Sequence, residues 1–421
     1  MQRKNKHMKL HFAAFIFILS LTTLTAQDKT RLIKDKDTVY LEDGVKTNVP
    51  LIKWNDLINI RGYAQVRYNR IGETNTNLRC EQCDRSWGGD GGFFFRRIRI
   101  IFFGNIHERV FFYIQPDFAS SPGGDRQQFS QIRDAYFDVA LDKKKSFRFR
   151  FGQSKVPFGF ENLQSSQNRI PLDRHDGLNS AVANERDIGV FFYWAPEKIR
   201  KRMREIASKN LKHSGDYGVF GFGAFNGQTA NQPDRNRNAH WVARFSYPFK
   251  LDNGQFFEPG IQAYSGNFVL PNVTEGVATN ENMEYTDQRV ALSAVWFPQP
   301  FGIQAEYNIG RGPEYNPETN AIESQSLNGG YATLSYYIDT PSLGLVIPFT
   351  RYHNYTGGKK HELDARKHRV SELEVGFEWQ PIKNLELVVM YTFSDRTFED
   401  ALNPNNRQTG RLLRLQAQVN F

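Results

Sequence analysis

Hydrophobic and polar residues alternate with a period of two along much of this chain. From Ile58 to Asn69, the even-numbered positions are apolar, small or aromatic, and the odd-numbered positions carry polar groups. The same alternation returns in four later runs, at residues 301–310, 371–380, 385–394 and 411–421. Because successive side chains of a strand point to opposite faces, the pattern predicts strands with one apolar and one polar face. Runs of about ten residues suffice for a tilted strand to cross a bilayer.

Residues 93–118 place arginines inside two aromatic-rich runs that are joined by a short turn. Arg97 and Arg99 lie among Phe and Ile residues of the first run, and Arg109 opens the second. In the core of a water-soluble protein, each of these charges would need a buried partner. A strand with lipid on one face and water on the other accommodates them directly. The stretch therefore predicts two neighbouring strands of a membrane barrel.

Sixteen extended runs can be counted, which predicts an all-β fold: one transmembrane antiparallel β-barrel of about 16 strands over residues 58–421. The runs centre on residues 64, 99, 114, 136, 149, 190, 221, 244, 262, 293, 305, 333, 348, 375, 390 and 416. Long connections are predicted at residues 70–92, 119–131, 152–186, 227–239, 267–288, 311–327, 353–369 and 395–410. The other connections are short, as expected when long loops are extracellular and short turns are periplasmic. One basic segment on the turn side, residues 195–216, is long and compatible with a helix.

The two ends of the chain predict export to the outer membrane of a Gram-negative bacterium. Residues 1–26 combine a basic start with the apolar run HFAAFIFILSLTTL, which is typical of a signal peptide cleaved after Ala26. Residues 27–57 are polar and charged, and we expect them to form a periplasmic extension. The last run, LRLQAQVNF, is amphipathic and ends in Phe421, which resembles the recognition signal of bacterial outer-membrane proteins.

The composition agrees with a barrel. Mean hydropathy is −0.58, as expected if half of each strand faces a polar lumen. No run of about 18 apolar residues follows the N-terminal segment, so no spanning helix is predicted. The formal net charge of +9 falls by four, to +5, without the four basic residues of segment 1–26. This mildly basic balance is weak support for anionic partners and gives no indication of nucleic acid binding.

Other motifs suggest little chemistry. Cys80 and Cys83 form a CxxC pair in the first long loop, which predicts a local disulfide. No pair of histidines accompanies them, as a zinc site would need. The sequence contains no GxSxG or HExxH motif. We therefore expect no enzyme, no cofactor and no metal site.

Five segments between residues 90 and 195 resemble the phosphate-selective porin O and P family. They are Phe95–Arg99, Gln115–Ala119, Ile132–Tyr136, Gly152–Gly159 and Arg186–Gly189. The resemblance implies a sixteen-stranded porin that assembles as a homotrimer and whose third loop folds into the lumen and narrows it. It also implies a ladder of arginines for anions, with lysines near the periplasmic exit.

Candidate pore-lining or anion-binding residues follow from this resemblance and from the polar faces of the strands: Arg67, Arg97, Arg99, Arg148, Arg150, Lys155, Arg169 and Arg174. A guanidinium stays charged and offers a fork that fits the oxygens of phosphate. In a narrow pore, such groups replace part of an anion's hydration shell. We expect an outer-membrane porin, surrounded by lipid, that allows passive diffusion of small hydrophilic solutes and prefers anions such as phosphate.

Two alternatives stay open at this stage. Asp117, Asp134 and Asp138 lie on strands next to the arginines and could neutralise them. Later strands carry inward glutamates, among them Glu306 and Glu372. This pattern is equally typical of a general porin with mixed lumen charge. A non-conducting surface barrel that acts in binding is the other alternative.

Overall fold

The computed structural model describes residues 34–35, 38–40, 46–47, 57–78, 80, 92–119 and 128–421. The chain divides into two units, Met1–Asp56 and Leu57–Phe421. In the first unit, Lys34–Asp35, Thr38–Tyr40 and Lys46–Thr47 pair antiparallel in a small sheet. The predicted signal peptide lies outside the described residues, as does most of the predicted extension.

The second unit contains a closed antiparallel barrel of sixteen long strands. The strands are β1 (Asn59–Ile71), β2 (Phe94–His107), β3 (Val110–Asp117), β4 (Gln131–Ala140), β5 (Phe147–Lys155), β6 (Arg186–Trp194), β7 (Phe220–Phe225), β8 (His240–Ser246), β9 (Phe256–Val269), β10 (Glu284–Trp296), β11 (Phe301–Asn316), β12 (Ala321–Tyr336), β13 (Gly344–Gly358), β14 (Lys367–Ile382), β15 (Leu385–Asp400) and β16 (Asn403–Asn420). Two short strands, Phe249–Lys250 and Ile338–Thr340, pair with β9 and β13. Each predicted centre falls inside one long strand, so the predicted all-β barrel of about 16 strands is confirmed.

The ring closes where the last strand meets the first. In the β16–β1 pair, Gln416 lies opposite Arg67 and Val419 lies opposite Ala64. Each of the sixteen long strands therefore has two hydrogen-bonded neighbours, and the barrel has no open edge. Closure of this kind satisfies the backbone polar groups that lipid cannot satisfy.

The two faces of the strands follow the predicted alternation. On β11, Ile309 is 55% exposed on the outer surface, whereas its neighbour Asn308 is fully buried inside. On β14, Val375 is 45% exposed, whereas Glu374 is 1% exposed. The apolar outer face fits lipid, and the inner face is polar and charged. Exposure on one face and burial on the other confirm the predicted lipid and lumen sides of these strands.

The strands of the C-terminal half are longer than the alternation of hydrophobic residues indicates. Residues 317–320 alone connect β11 to β12, and residues 401–402 connect β15 to β16. The long loops predicted at 311–327 and 395–410 are therefore wrong, and much of 353–369 is also strand. Beyond the bilayer the outer face of a strand no longer needs apolar residues, so the hydrophobic alternation fades while the backbone pairing continues.

Two inserted segments matter for the site. The third loop, residues 156–185, joins β5 to β6 and contains the short helices α1 (Phe160–Leu163) and α2 (Asp176–Asn179). The turn insert, residues 195–219, joins β6 to β7 and contains the helix α3 (Glu197–Ser208), as the basic segment predicted. In α3, the apolar residues lie three or four positions apart and are buried: Ile199, Met203 and Ile206. No helix among the described residues is long and apolar enough to cross a membrane.

The third loop lies inside the barrel. Phe158 and Leu178 are buried in one apolar cluster with Phe191 on β6 and Tyr264 on β9. The rings of Phe158 and Tyr264 meet edge to face, with their centroids 4.8 Å apart. Buried apolar contacts of this kind favour a fixed position over a mobile one. The inward fold predicted for the third loop is confirmed.

Candidate functional site

Buried ion pairs fasten the third loop to the barrel wall. The carboxylate of Asp173 pairs with Arg67 on β1, at 3.2 Å, and with Arg414 on β16. Glu161 in α1 pairs with Arg351 on β13, at 2.8 Å. Burial alone would raise the pKa of both loop carboxyls, but these arginines hold it below its ordinary range. The loop carboxylates are therefore charged at neutral pH.

The second helix of the loop is anchored in the same way. Asp176, the first residue of α2, pairs with Arg396 on β15, at 2.8 Å, and with Lys359. Arg289 on β10 donates to the hydroxyl of Ser180, at 2.7 Å, and to its carbonyl, at 3.0 Å. The loop is thus held by strands around most of the ring.

Two predicted site residues on β2 donate hydrogen bonds to the barrel wall. Arg97 donates to the side-chain oxygen of Gln65 on β1, at 2.8 Å. Arg99 donates to Asp117 on β3 and to the hydroxyl of Tyr63, each at 2.8 Å. Both arginines are buried, so their first contacts are with neighbouring strands.

Two predicted residues within the third loop are engaged by the loop. Arg169 donates to the carbonyls of Pro171, at 3.0 Å, and Leu172, at 2.8 Å. Arg174 pairs with Glu185 at the end of the loop. Together with the residues on β1 and β2, these make five of the eight predicted cations, and the five contact the wall or the loop without lining the cavity that the other three share. Their part in anion binding stays a prediction.

The other three predicted cations line a cavity of about 650 Å³ beside the third loop. Of the described residues, nine basic side chains line this cavity: Arg61, Arg109, Lys145, Arg148, Arg150, Lys155, Arg186, Arg200 and Arg204. Three acidic side chains oppose them: Asp134, Asp138 and Asp216. Arg109 and Lys145 belong to the short turns after β2 and β4, so the cavity reaches the periplasmic end of the barrel.

The inward arginines of β5 are held in defined positions. Arg150 donates to both carboxylate oxygens of Asp138 on β4, at 2.7 and 3.0 Å. Arg148 donates to Asp216 of the turn insert, at 2.7 Å. Lys155, the last residue of β5, donates to the carbonyl of Asn162 in the third loop, at 2.8 Å. Each group is held in place by these hydrogen bonds, and each lines the cavity.

Six basic residues of the cavity were not among the predicted candidates. Arg200 and Arg204 belong to α3, and the basic composition of the insert is the sequence feature that could have identified them. Arg186 belongs to the Arg186–Gly189 segment, and Arg61 lies on the polar face predicted for β1. Only the folded chain brings these residues to one space, because they are spread over five elements or turns.

One cluster has the residue types of a metal site. The carboxylates of Asp176 and Glu372 and the ring of His353 lie within 4.8 Å of one another. However, Arg396 pairs with both acids, and His353 shares a hydrogen bond with Glu372, at 2.6 Å. These contacts make the cluster an ion-pair network that anchors α2.

A closed sixteen-strand barrel with an apolar outer face and a charged lumen narrowed by a loop defines the class of outer-membrane porins. The sequence model of the family described as phosphate-selective porin O and P matches residues 76–421, and the chain belongs to this family. The protein is therefore an outer-membrane porin of a Gram-negative bacterium. No curated protein matches the chain.

Solved structures of other porins share the fold. The outer membrane channel DcaP of Acinetobacter baumannii is 14% identical, with a TM-score of 0.54, over 86% of this chain and 97% of that chain. OmpT of Vibrio cholerae, in its trimer form, is 9% identical, with a TM-score of 0.52, over 86% and 99%. An anion-selective porin from Comamonas acidovorans is 10% identical, with a TM-score of 0.51, over 86% and 99%.

Proposed function

We propose that this porin is a passive channel for small hydrophilic solutes that prefers anions such as phosphate. The observation that carries the proposal is the excess of basic over acidic side chains around the cavity, nine against three among the described residues. A confined, weakly solvated space of one sign of charge raises the local concentration of ions of the opposite sign. The description of the family and the anion-selective neighbour support the same preference.

The pairing of the cavity's cations with acids suits the passage of anions rather than their tight binding. Arg150 shares its charge with Asp138, and Arg148 shares its charge with Asp216. Such pairing leaves several weak positive positions in place of one deep site. Conduction requires binding that is favourable enough for entry and weak enough for exit.

A general porin with mixed lumen charge is the second candidate. Its supporting observation is the series of close pairs between neighbouring strands, such as Arg99 with Asp117 and Arg150 with Asp138. Under this hypothesis the wall charges cancel, and the channel discriminates solutes by size. A third candidate, a barrel that binds at the cell surface without conducting, predicts no current at all.

Planar-bilayer recording distinguishes these candidates. We expect stable conductance and a reversal potential on the anion side in a salt gradient. Joint replacement Arg148→Ala and Arg150→Ala should lower the anion preference, because Asp138 and Asp216 then face the cavity with fewer partners. Arg407→Ala is the matched control, since Arg407 is exposed and pairs with the exposed Asp395.

Each of the three candidate functions predicts a different outcome. A reversal potential near zero or on the cation side would favour the general porin. No conductance would favour the surface-binding barrel. An equal loss of preference in the Arg407→Ala control would show that the effect does not arise in the cavity.

We further propose that the barrel acts without catalysis or a cofactor, and that it assembles as a homotrimer in outer-membrane lipid. The trimer form of OmpT from Vibrio cholerae supports the assembly. Apolar side chains along the outer face support the lipid contact. Native mass spectrometry of the detergent-solubilised protein tests the assembly, and a monomer mass alone would contradict it.

A further inference from the structure

The turn insert enters the lumen after α3 and crosses it. Lys212 is 4% exposed, and its ammonium donates to Glu378 on β14, at 2.5 Å, and lies 3.9 Å from Glu386 on β15. The insert itself joins β6 to β7, which lie eight strands away from β14 and β15 in a ring of sixteen. A segment that reaches the strands half a ring away must span the width of the barrel.

The crossing segment is pinned along its length. Asn210 donates to Gln380 on β14, at 3.1 Å, and its carbonyl accepts a hydrogen bond from Tyr337, at 2.9 Å. Leu211 is buried in an apolar cluster with Phe160 of the third loop. These contacts with the wall and with the third loop hold the segment in place.

The charge of Lys212 strengthens this anchor. Burial lowers the pKa of its ammonium, but the carboxylates of Glu378 and Glu386 offset burial and raise the pKa above its ordinary value. Gln164 of the third loop donates to the carbonyl of Lys212, at 2.6 Å. The insert therefore ties the third loop to the far wall and lies on its periplasmic side.

The remaining part of the crossing segment forms one side of the cationic cavity. His213, Ser214, Asp216 and Tyr217 all line it. The opposite side is formed by inward residues of β1 to β5. Asp216 is one of the three acids at this surface, and it pairs with Arg148 and with Arg200 of α3, each at 2.7 Å.

We propose that the turn insert is a second constriction of the channel, and that Asp216 sets the charge that an anion meets there. This inference rests on the proposed function. A solute that has passed the third loop then leaves between the insert and the wall of β1 to β5. Asp216 partly neutralises the positive charge of Arg148 and Arg200. Anion binding at this point is therefore weaker, which favours release to the periplasm.

Cysteine modification tests the position of the insert in the pathway. Ser214→Cys places a thiol at the cavity surface, and Ser208→Cys places one at the exposed end of α3 in the same insert. Native Cys80 is disulfide-bonded, and the unsubstituted protein serves as the blank for reagent effects. A sulfonate-bearing thiol reagent should label both variants but cause a stepwise loss of single-channel conductance only in Ser214→Cys.

A second variant tests the role of the charge. Asp216→Asn should shift the reversal potential further to the anion side, because Arg148 and Arg200 lose the negative charge of their shared partner. Proper folding is checked by the heat-modifiable mobility typical of barrels, so a misfolded variant is recognised. An unshifted reversal potential in a folded Asp216→Asn channel overturns the assignment of Asp216.

The results separate this inference from the proposed function. A native channel that conducts anions while Ser214→Cys resists labelling, or is labelled without loss of conductance, overturns the second constriction and leaves the proposed function intact. A native protein that does not conduct overturns the proposed function and this inference together.

Discussion

Arg150 and Asp138 face each other across the β4–β5 pair and share two hydrogen bonds, at 2.7 and 3.0 Å. The ring of Tyr136 lies against the same guanidinium, with its centroid 3.8 Å from Cζ. An arginine in this position stabilises the wall and charges the lumen at once. The selectivity of the cavity therefore depends on its acids as much as on its arginines.

Asp138→Asn should increase anion preference. The substitution removes the carboxylate that pairs with Arg150 and lies 3.8 Å from Arg148. A unit charge at such a distance in a water-like medium contributes about 1 kcal/mol, or roughly a five-fold change in the ratio of anion to cation permeability. Reversal potentials in a salt gradient measure this ratio. Asp395→Asn, on the exposed outer surface, should leave it unchanged, and a fall in the ratio for Asp138→Asn would contradict the prediction.

Asp173→Asn should loosen the third loop. The carboxylate of Asp173 is the shared partner of the buried Arg67 and Arg414, so its loss leaves two buried cations without it. Breaking a buried pair on one side costs about 3–5 kcal/mol. We expect a lower urea midpoint in micelles and larger, noisier currents. The exposed pair of Asp395 with Arg407 is the control, because surface pairs contribute about 0–1 kcal/mol.

Gly159→Ala should destabilise the entry of the third loop. Gly159 has a φ of 82°, and an added Cβ would lie 2.7 Å from the Leu178 side chain and 3.0 Å from Glu306. Alanine at such a position costs more than about 1 kcal/mol. Gly276→Ala is a matched control, with a φ of 88° and open space around the added carbon. Equal urea midpoints for the two variants would show that the contacts of Gly159 do not matter.

Acidification should add positive charge to the cavity through His213. Burial and the nearby Arg61 lower the pKa of this imidazole to about 4. His213 is therefore neutral at pH 7, and its protonation as the pH falls toward 4 should raise anion preference. Asp216 does not cancel the effect. Burial raises the pKa of that carboxyl, but Arg148 and Arg200 more than offset burial and keep it ionised.

The titration of His213 also predicts that the stability of the protein changes with pH. An unfolded histidine titrates near pH 6.5, so the unfolded chain binds this proton more readily than the folded chain does. The contribution of neutral His213 to stability is full above about pH 6.5 and is lost as the pH falls from there toward 4. His213→Gln should flatten both the permeability and the urea-midpoint profiles in this window. Profiles identical to those of the native protein would exclude His213 as the cause.

The alternation of residues was sufficient to predict the barrel. In the run from Phe301 to Gly310, every second side chain had to suit lipid and every other one the lumen, and the structure places them so. This information is local, because the face of each side chain depends only on its position in its own strand. The same rule failed at 395–410, where the outward positions are polar and no alternation of hydrophobic and polar residues marks the strand.

The candidate site was only partly visible in the sequence. The pattern identified Arg148 and Arg150 as inward residues and drew attention to the basic insert, but it did not distinguish them from Arg67 or Arg97, which bind the wall and loop. The partners that decide this are distant in the chain: Asp173 lies 106 positions from Arg67, and Lys212 lies 166 positions from Glu378.

The sequence by itself determined the class of fold, the number of strands and the faces that meet lipid and lumen, since lipid and water act on each strand separately. The tertiary structure alone decided which cations remain at the surface of the cavity and which are used as anchors. That choice depends on closure of the ring and on two segments that fold into it. Closure of the ring and the two inserted segments bring together residues that are far apart in the sequence. Such pairs produce no periodic pattern along the chain.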